Sequence, residues 1–206
     1  MIDLLYKLSD YIKESTETGV GLALKYTDEK YLFFLPGKKY ENMKNNIFYA
    51  GIGGHLEEGE DFVTCAKREV KEELEADIQL ISSEKTWYMH SDGKIENVEV
   101  EDNVKPLALY DMIHAEGTPK AGQLYKIIIF NARLSTEPKN LQKYEVGGVI
   151  ALTREQVVKN VSYKPTLREL VNNGADIVAG CKNLDFDNIY LYPIGTAKAL
   201  GYILQK

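Results

Sequence analysis

Residues 124–134, LYKIIIFNARL, constrain the fold more than any other stretch of the chain. The run is long, β-branched and continuously apolar in its middle, so it reads as a strand in the centre of a sheet. Such a strand needs partners on both sides and cover for its faces. The rest of the sequence supplies both. GVGLALKY and KYLFFL, separated by Thr27-Asp28-Glu29, read as a hairpin. Shorter strands follow in IFYA, DIQLIS, IENVEVED and GGVIAL, while KTWYMH either extends DIQLIS or starts the next strand. Leu4, Leu5, Leu8, Tyr11 and Ile12 recur at helical spacing, which predicts an amphipathic helix over 3–14. A long helical pattern covers 60–75. Two more helices start near 154–160 and 167–172. Each opens on a capping box, Thr153-Arg154-Glu155-Gln156 and Thr166-Leu167-Arg168-Glu169, and Asn173-Gly174 stops the second. Residues 183–206, interrupted by Pro193 and Gly195, fit no single element. The expected fold class is α/β (α+β), a mixed β-sheet covered by helices. Residues 1–206 are expected to form a single domain, with the N-terminal helix in 1–15 and a C-terminal extension, 165–206, packed on it.

Composition narrows the function. The 206 residues carry a net charge of −6, a poor footprint for a nucleic-acid backbone, so no DNA partner is expected. An anionic substrate then needs a local solution, either bound metal or a few placed cations. No apolar run reaches the roughly 18 residues that span a bilayer, and no leader peptide is visible at the N-terminus. Cys65 and Cys181 form neither a metal-type pair nor a disulfide framework. The expected setting is therefore cytoplasmic, without a membrane partner.

Residues 51–78, GIGGHLEEGEDFVTCAKREVKEELEADI, carry the chemistry. In a helix of 3.6 residues per turn, Glu69, Glu72 and Glu73 project together, while Phe62, Ala66, Val70 and Leu74 form a separate row that can dock on a sheet. Taken alone, KREVKEELE is the kind of charged run that usually makes a solvated helix face. Three convergent carboxylates, however, raise each other's pKa and repel unless a cation neutralises them. Mg²⁺ takes carboxylate, carbonyl and phosphate oxygens together. The loop Gly51-Ile52-Gly53-Gly54 can turn sharply and bring its carbonyls to the helix.

The segment resembles the Nudix box, with Gly54, Glu60, Arg68, Glu69, Val70, Glu72 and Glu73 at the required spacing. From background residue frequencies, a chance match in a chain of this length is about one in 10⁴ to 10⁵. Glu75 stands where the pattern has glycine and Ala76 where it has a larger aliphatic. Because that glycine would end the helix in a left-handed conformation, Glu75 is expected to alter or extend the helix end. The resemblance implies an α/β/α sandwich and a hydrolase that cleaves a diphosphate linkage in a nucleoside diphosphate joined to another moiety. It implies Mg²⁺, with Mn²⁺ as a substitute, held by Glu69, Glu72, Glu73 and the Gly53 carbonyl. Glu60 and Arg68 would support these ligands. A distal base would come from Glu145, just before the GGVIAL strand, or from Glu116 in the loop before strand 124–134.

His55 reads as exposed, and His90 and His114 as lone histidines. Cys65 reads as a packing residue. Phe34, Tyr49, Trp87, Tyr88 and Tyr125 are candidates to stack on a nucleobase. The apolar side of the N-terminal helix could pack on its own chain or on a second copy, and a homodimer is the expectation. Two other readings of the box remain: a non-catalytic nucleotide-ligand sensor and a diphosphate isomerase. Substrate identity is not legible, and segment 85–123, long between core elements, is expected to shape it.

Overall fold

The computed structural model describes residues 5–13, 17–38, 45–116, 120–181 and 184–206. Residues 3–4 and 14 of the expected N-terminal helix, and most of the 36–46 loop, lie outside them.

The run LYKIIIFNARL is strand β10 (Leu124–Leu134), and it is central. It pairs in parallel with β2 (Thr18–Lys25) and antiparallel with β9 (Ala108–Ile113) and β6 (Ile78–Ile81). Beyond β9 lie β7 (Thr86–Met89), β8 (Ile95–Val100) and the short β1 (Leu5–Tyr6). Beyond β2 lie β3 (Lys30–Pro36), β11 (Val146–Thr153) and β12 (Asp176–Gly180). Among the described residues this makes one mixed sheet of 11 strands.

Alternation along the central strands divides the interior. Val20, Leu22, Leu24, Ile128 and Phe130 pack against Cys65, Ala66, Val70 and Leu74 of helix α2 (Phe62–Leu74). Ala23, Phe33, Ile127, Ile129 and Ile150 face the other way. There they meet helices α3 (Arg154–Lys159), α4 (Leu167–Asn172) and α5 (Gly195–Ile203). Helices thus cover both faces, as the sandwich expectation required.

The hairpin of β2 and β3 forms, but its strands part at once. Only Lys25 and Tyr31 are paired across it. Residues 50–55 fill the opening. Phe34 and Ala50 exchange backbone hydrogen bonds, Leu22 N–H donates to the Ile52 carbonyl, and β5 (Gly53–His55) pairs with residues 19–21 of β2. The glycine loop is therefore clamped in a fork of the sheet, immediately ahead of α2.

Three expectations need correction. The N-terminal helix is shorter than 3–14: α1 spans Leu8–Ile12. Leu5 and Tyr6 pair in parallel with β8 instead, because the sheet edge offers backbone partners there, and the Asp102 carboxylate accepts the Leu8 N–H at 3.0 Å. Leu8 and Tyr11 are buried by their own chain. The Asp111 carboxylate anchors the packing, taking hydroxyl hydrogen bonds from Tyr11 and Tyr88, both at 2.8 Å. Segment 85–123 and residues 165–206 contain β9, β12, β13 (Tyr190–Pro193) and α5, which the sequence pattern left unassigned. Strand β13 runs in parallel with β4 (Asn46–Tyr49), so the C-terminal extension is joined to the strand that leads into the glycine loop.

The third correction concerns Glu75. It neither extends nor distorts α2. Its backbone takes the left-handed conformation itself, φ 49° and ψ 39°, and the helix stops at Leu74. Loop 135–145 holds the end: Lys139 N–H donates to the Leu74 carbonyl, Gln142 N–H to the Glu73 carbonyl, and the Asn140 amide to the Glu75 carboxylate. A side chain in this region costs about 1–2 kcal/mol relative to the right-handed helix, a cost glycine escapes. Glu75→Gly should therefore stabilise the protein by about 0.5–1 kcal/mol after the exposed Asn140 bond is lost. Thermal unfolding should show a rise of roughly 1–4 °C, and a variant that melts at or below the parent temperature would refute the strain argument.

Candidate active site

Helix α2 begins at Asp61, whose side chain accepts the Thr64 N–H at 2.8 Å, a cap that fixes the helix phase. With the apolar row on the sheet, Glu69 and Glu73 turn toward the glycine loop. The approach is close: a Cβ on Gly54 would lie 2.3 Å from a Glu69 carboxylate oxygen, so a larger residue there would push the Glu69 carboxylate from its place. Gly53 N–H donates to Glu73 Oε2 at 3.3 Å.

Glu73 is only 6% exposed, more buried than a carboxylate on a solvated face would be. Burial pushes its pKa well above the usual carboxylate range, and the charges of Glu69, Glu145 and Glu72 push the same way. Burial also raises Glu69, with Glu72 and Glu60 adding to the effect and Arg68 opposing it. Arg68 is the hub. Its guanidinium grips Glu60 through two hydrogen bonds, at 2.9 and 3.0 Å, and reaches Glu69 at 2.7 Å, Glu72 at 3.3 Å and the His55 carbonyl at 3.0 Å. The Arg68 side chain beside Glu60 holds that carboxyl below its ordinary value.

Arg68, Glu69, Glu72 and Glu73 line one end of a cleft of about 780 Å³. The cleft also contains Glu145, at the head of β11. Its own N–H donates to the Gln142 carbonyl at 3.0 Å, and its carbonyl accepts from Gly37 at 2.7 Å. Glu116 is exposed and is not among the cleft-lining residues. The structure thus brings together Gly53, Arg68, Glu69, Glu72, Glu73 and Glu145, and leaves Glu116 outside. Among the described residues no three acidic, imidazole or thiol groups already stand as a closed metal-ligand set, since Arg68 holds Glu69 and Glu72. The donor chemistry nevertheless suits a hard cation, because the buried Glu73 and its acidic neighbours carry a repulsion that such an ion would relieve.

Apolar and aromatic side chains also line the cleft: Phe34, Tyr110, Met112, Tyr125, Ile127 and Tyr192. Of the stacking candidates, Phe34 and Tyr125 are there; Tyr49 is fully buried, and Trp87 and Tyr88 do not line it. Tyr110 and Met112 went unnoticed because β9 is rich in Ala, Leu and Met and carries Asp111, which gives no strand signal.

The histidines are not isolated. His55 and His114 both reach the buried Glu17 carboxylate, at 2.5 and 3.1 Å, and both stack on Tyr125. Lys120 joins the same carboxylate at 2.7 Å. Burial would raise Glu17, but these three partners outweigh it and bring its pKa down to about 2. His90 stacks on Tyr88 and bonds Glu96 at 2.6 Å, away from the cleft. Cys65 is fully buried on the sheet-facing side of α2, and burial pushes its thiol up to about 12, as fits a packing residue. One legible signal passed unread: Gly19 and Gly21 alternate on one face of β2, where a Cβ would lie 2.0 Å from the Tyr125 hydroxyl oxygen and 2.0 Å from the Thr196 hydroxyl oxygen.

The sequence model of the NUDIX domain matches residues 18–171. No curated protein matches the sequence. Among solved structures, a NUDIX hydrolase from Nitrosomonas europaea is similar at 17% identity and TM-score 0.46, over 68% of this chain and 74% of that one. A MutT NUDIX hydrolase from Burkholderia pseudomallei is similar at 18% identity and TM-score 0.44, over 68% and 84%. A NUDIX-family hydrolase from Clostridium perfringens is similar at 16% identity and TM-score 0.46, over 69% and 84%. The match over 18–171 includes the glycine loop, all of α2 and Glu145, and the chain belongs to the NUDIX family of pyrophosphohydrolases.

Proposed function

We propose that the protein is a Mg²⁺-dependent hydrolase that cleaves the diphosphate linkage of a nucleoside diphosphate joined to another moiety, with Mn²⁺ able to replace Mg²⁺. The observation that carries this reading is the gathering of Glu69, Glu73 and Glu145 with the glycine loop in one cleft that aromatic side chains also line. Glu69, Glu72, Glu73 and the Gly53 carbonyl would hold the metal. When bound, the ion neutralises phosphate charge and acidifies water. The chain supplies the rest. Arg68 and Glu60 fix the orientation of Glu69 and Glu72 through the bonds described above. Glu145 accepts the proton of the attacking water as the new phosphorus–oxygen bond forms and the bridging bond breaks, leaving two phosphate-bearing products. The aromatic lining excludes water and gives a nucleobase a surface to stack on. Residues 1–206 act as one unit in this reading, since β13 and α5 complete the cleft.

Treatment with EDTA should abolish turnover and added Mg²⁺ or Mn²⁺ should restore it, measured on a panel of nucleoside triphosphates, ADP-ribose, sugar nucleotides, dinucleoside polyphosphates and capped RNA with products separated. Turnover that survives exhaustive chelation would remove the role given to the carboxylates. Binding without any product would favour a ligand sensor, and rearranged rather than cleaved product would favour an isomerase.

A further inference from the structure

Helix α5 lies outside the residues that match the family, yet its first turn opens into the cleft: Ile194, Gly195, Thr196 and Lys198 all line it. The helix starts without a cap. Ile194 stands at the N-cap position with no side-chain hydrogen bond, and the first turn holds no acidic residue. The N–H groups of Gly195 and Thr196 have no hydrogen-bond partner among the described residues. A helix N-terminus in this state carries partial positive charge and unsatisfied donors. Lys198 adds a cation beside it, an arrangement that by itself disfavours the helix and that an anion would compensate.

Thr196 gives the independent observation. It is 6% exposed, lines the cleft, and its hydroxyl has no partner among the described residues. Space has been cleared for it. A Cβ on Gly21 would lie 2.0 Å from Thr196 Oγ1, and one on Gly51 would lie 2.9 Å from Thr196 Cβ. The hydroxyl oxygen is not among the fully enclosed unbonded atoms, so although the residue is buried, this oxygen still reaches open space, where an oxygen of a bound ligand can take its hydrogen bond. Its place also matters. Gly21 pairs with Gly53, the residue whose N–H reaches Glu73. The start of α5 and the acidic end of the cleft therefore flank the same glycine strand and line the same cleft.

We propose that the N-terminus of α5, with the Gly195 and Thr196 N–H groups, the Thr196 hydroxyl and Lys198, is a second anion site that binds a phosphate of the substrate not held by the acidic end. This rests on the hydrolase reading above and adds to it: the substrate carries a phosphate, or a comparable anion, that the C-terminal extension selects.

The test uses ¹⁵N-labelled full-length protein in EDTA, titrated with inorganic phosphate, so that metal-bound phosphate does not contribute. The Gly195 and Thr196 amide resonances should shift and saturate. Thr196→Val, which keeps the shape and removes the hydroxyl, should weaken binding by about fivefold, and Thr196→Ser should stay within about twofold of the parent. Lys198→Met should weaken it as well. The proposal is overturned if phosphate leaves these two amides unmoved, if Thr196→Val binds as tightly as the parent, or if a neutral nucleoside moves them and phosphate does not. Phosphate binding that persists in a protein with no metal-dependent turnover on the substrate panel would sink the hydrolase reading and leave the anion site standing. Turnover without phosphate binding at α5 would do the reverse.

Discussion

Replacing Glu73 by Gln should lower turnover by roughly three orders of magnitude, the scale of losing one preorganised charge-stabilising group, while raising the melting temperature of the metal-free protein. The two effects have one origin. Glu73 is buried among Glu69, Glu72 and Glu145, and burial first, then those charges, lifts its pKa well above the ordinary 4.5. For a group whose folded pKa is raised, the stabilising contribution is complete below the unfolded value and is lost as pH rises through the folded one. The metal-free wild type therefore loses stability between pH 4.5 and the higher folded value. Gln fixes the neutral form, keeps an oxygen for the Gly53 N–H and offers its NH₂ to the surrounding carboxylates. Melting curves in EDTA should show the Glu73→Gln variant above wild type at pH 7.5 and the gap closing near pH 4.5. Mg²⁺ should stabilise the wild type more than the variant, because only a ligand-bearing site gains from binding. A Glu73→Gln enzyme with near-normal turnover would mean that the carboxylate is not a ligand. A variant less stable than wild type in EDTA would mean that its burial is not a strain awaiting a cation.

Much of this was legible in the sequence, and what was missed has common causes. The central strand could be read because 124–134 has one period and one composition. Helix α2 could be read because its apolar row and acidic face separate cleanly at 3.6 residues per turn. The spacing from Gly54 to Glu73 is local, so it needed no knowledge of the fold. Burial of Glu73 could not be read, since it depends on loop 135–145 closing over the end of α2 through Lys139, Gln142 and Asn140, residues more than sixty positions away. The meeting of Glu17, His55 and His114 was equally hidden, because it joins the entry to β2, the glycine loop and the exit of β9. Strand β9 lacked a β pattern, and its register comes from pairing with β10. At Glu75 the local preference was read correctly and overruled: the helix must end there for the loop to dock, and the backbone turns left-handed without a glycine.

Glu145→Gln should slow turnover at least a hundredfold and leave metal affinity almost unchanged, the scale expected for losing a general base. Attacking water must shed a proton, and Glu69, Glu72 and Glu73 serve better as ligands, since coordination occupies their lone pairs and lowers their basicity. A carboxylate outside the ligand set is then the natural acceptor. Glu145 already lines the cleft, its N–H and carbonyl are both bonded, and the preceding Gln142 donates to the carbonyl of Glu73. Loop 135–145 thus registers Glu145 against the end of α2, and its charge is close enough to raise the pKa of Glu73. Preorganisation of this kind removes the need for closure before proton transfer. Gln keeps the shape and the backbone bonds, so the loss should fall on kcat and not on the fold. Mn²⁺ titration monitored by electron paramagnetic resonance should give similar affinities for the variant and the parent. Glu116→Gln is the control: exposed and outside the cleft, it should change turnover little. Sensitivity at Glu116 with a normal Glu145→Gln would reverse the assignment. Near-normal rates in both variants would mean that no loop carboxylate takes the proton, and a glutamate of α2 would have to act as both ligand and base.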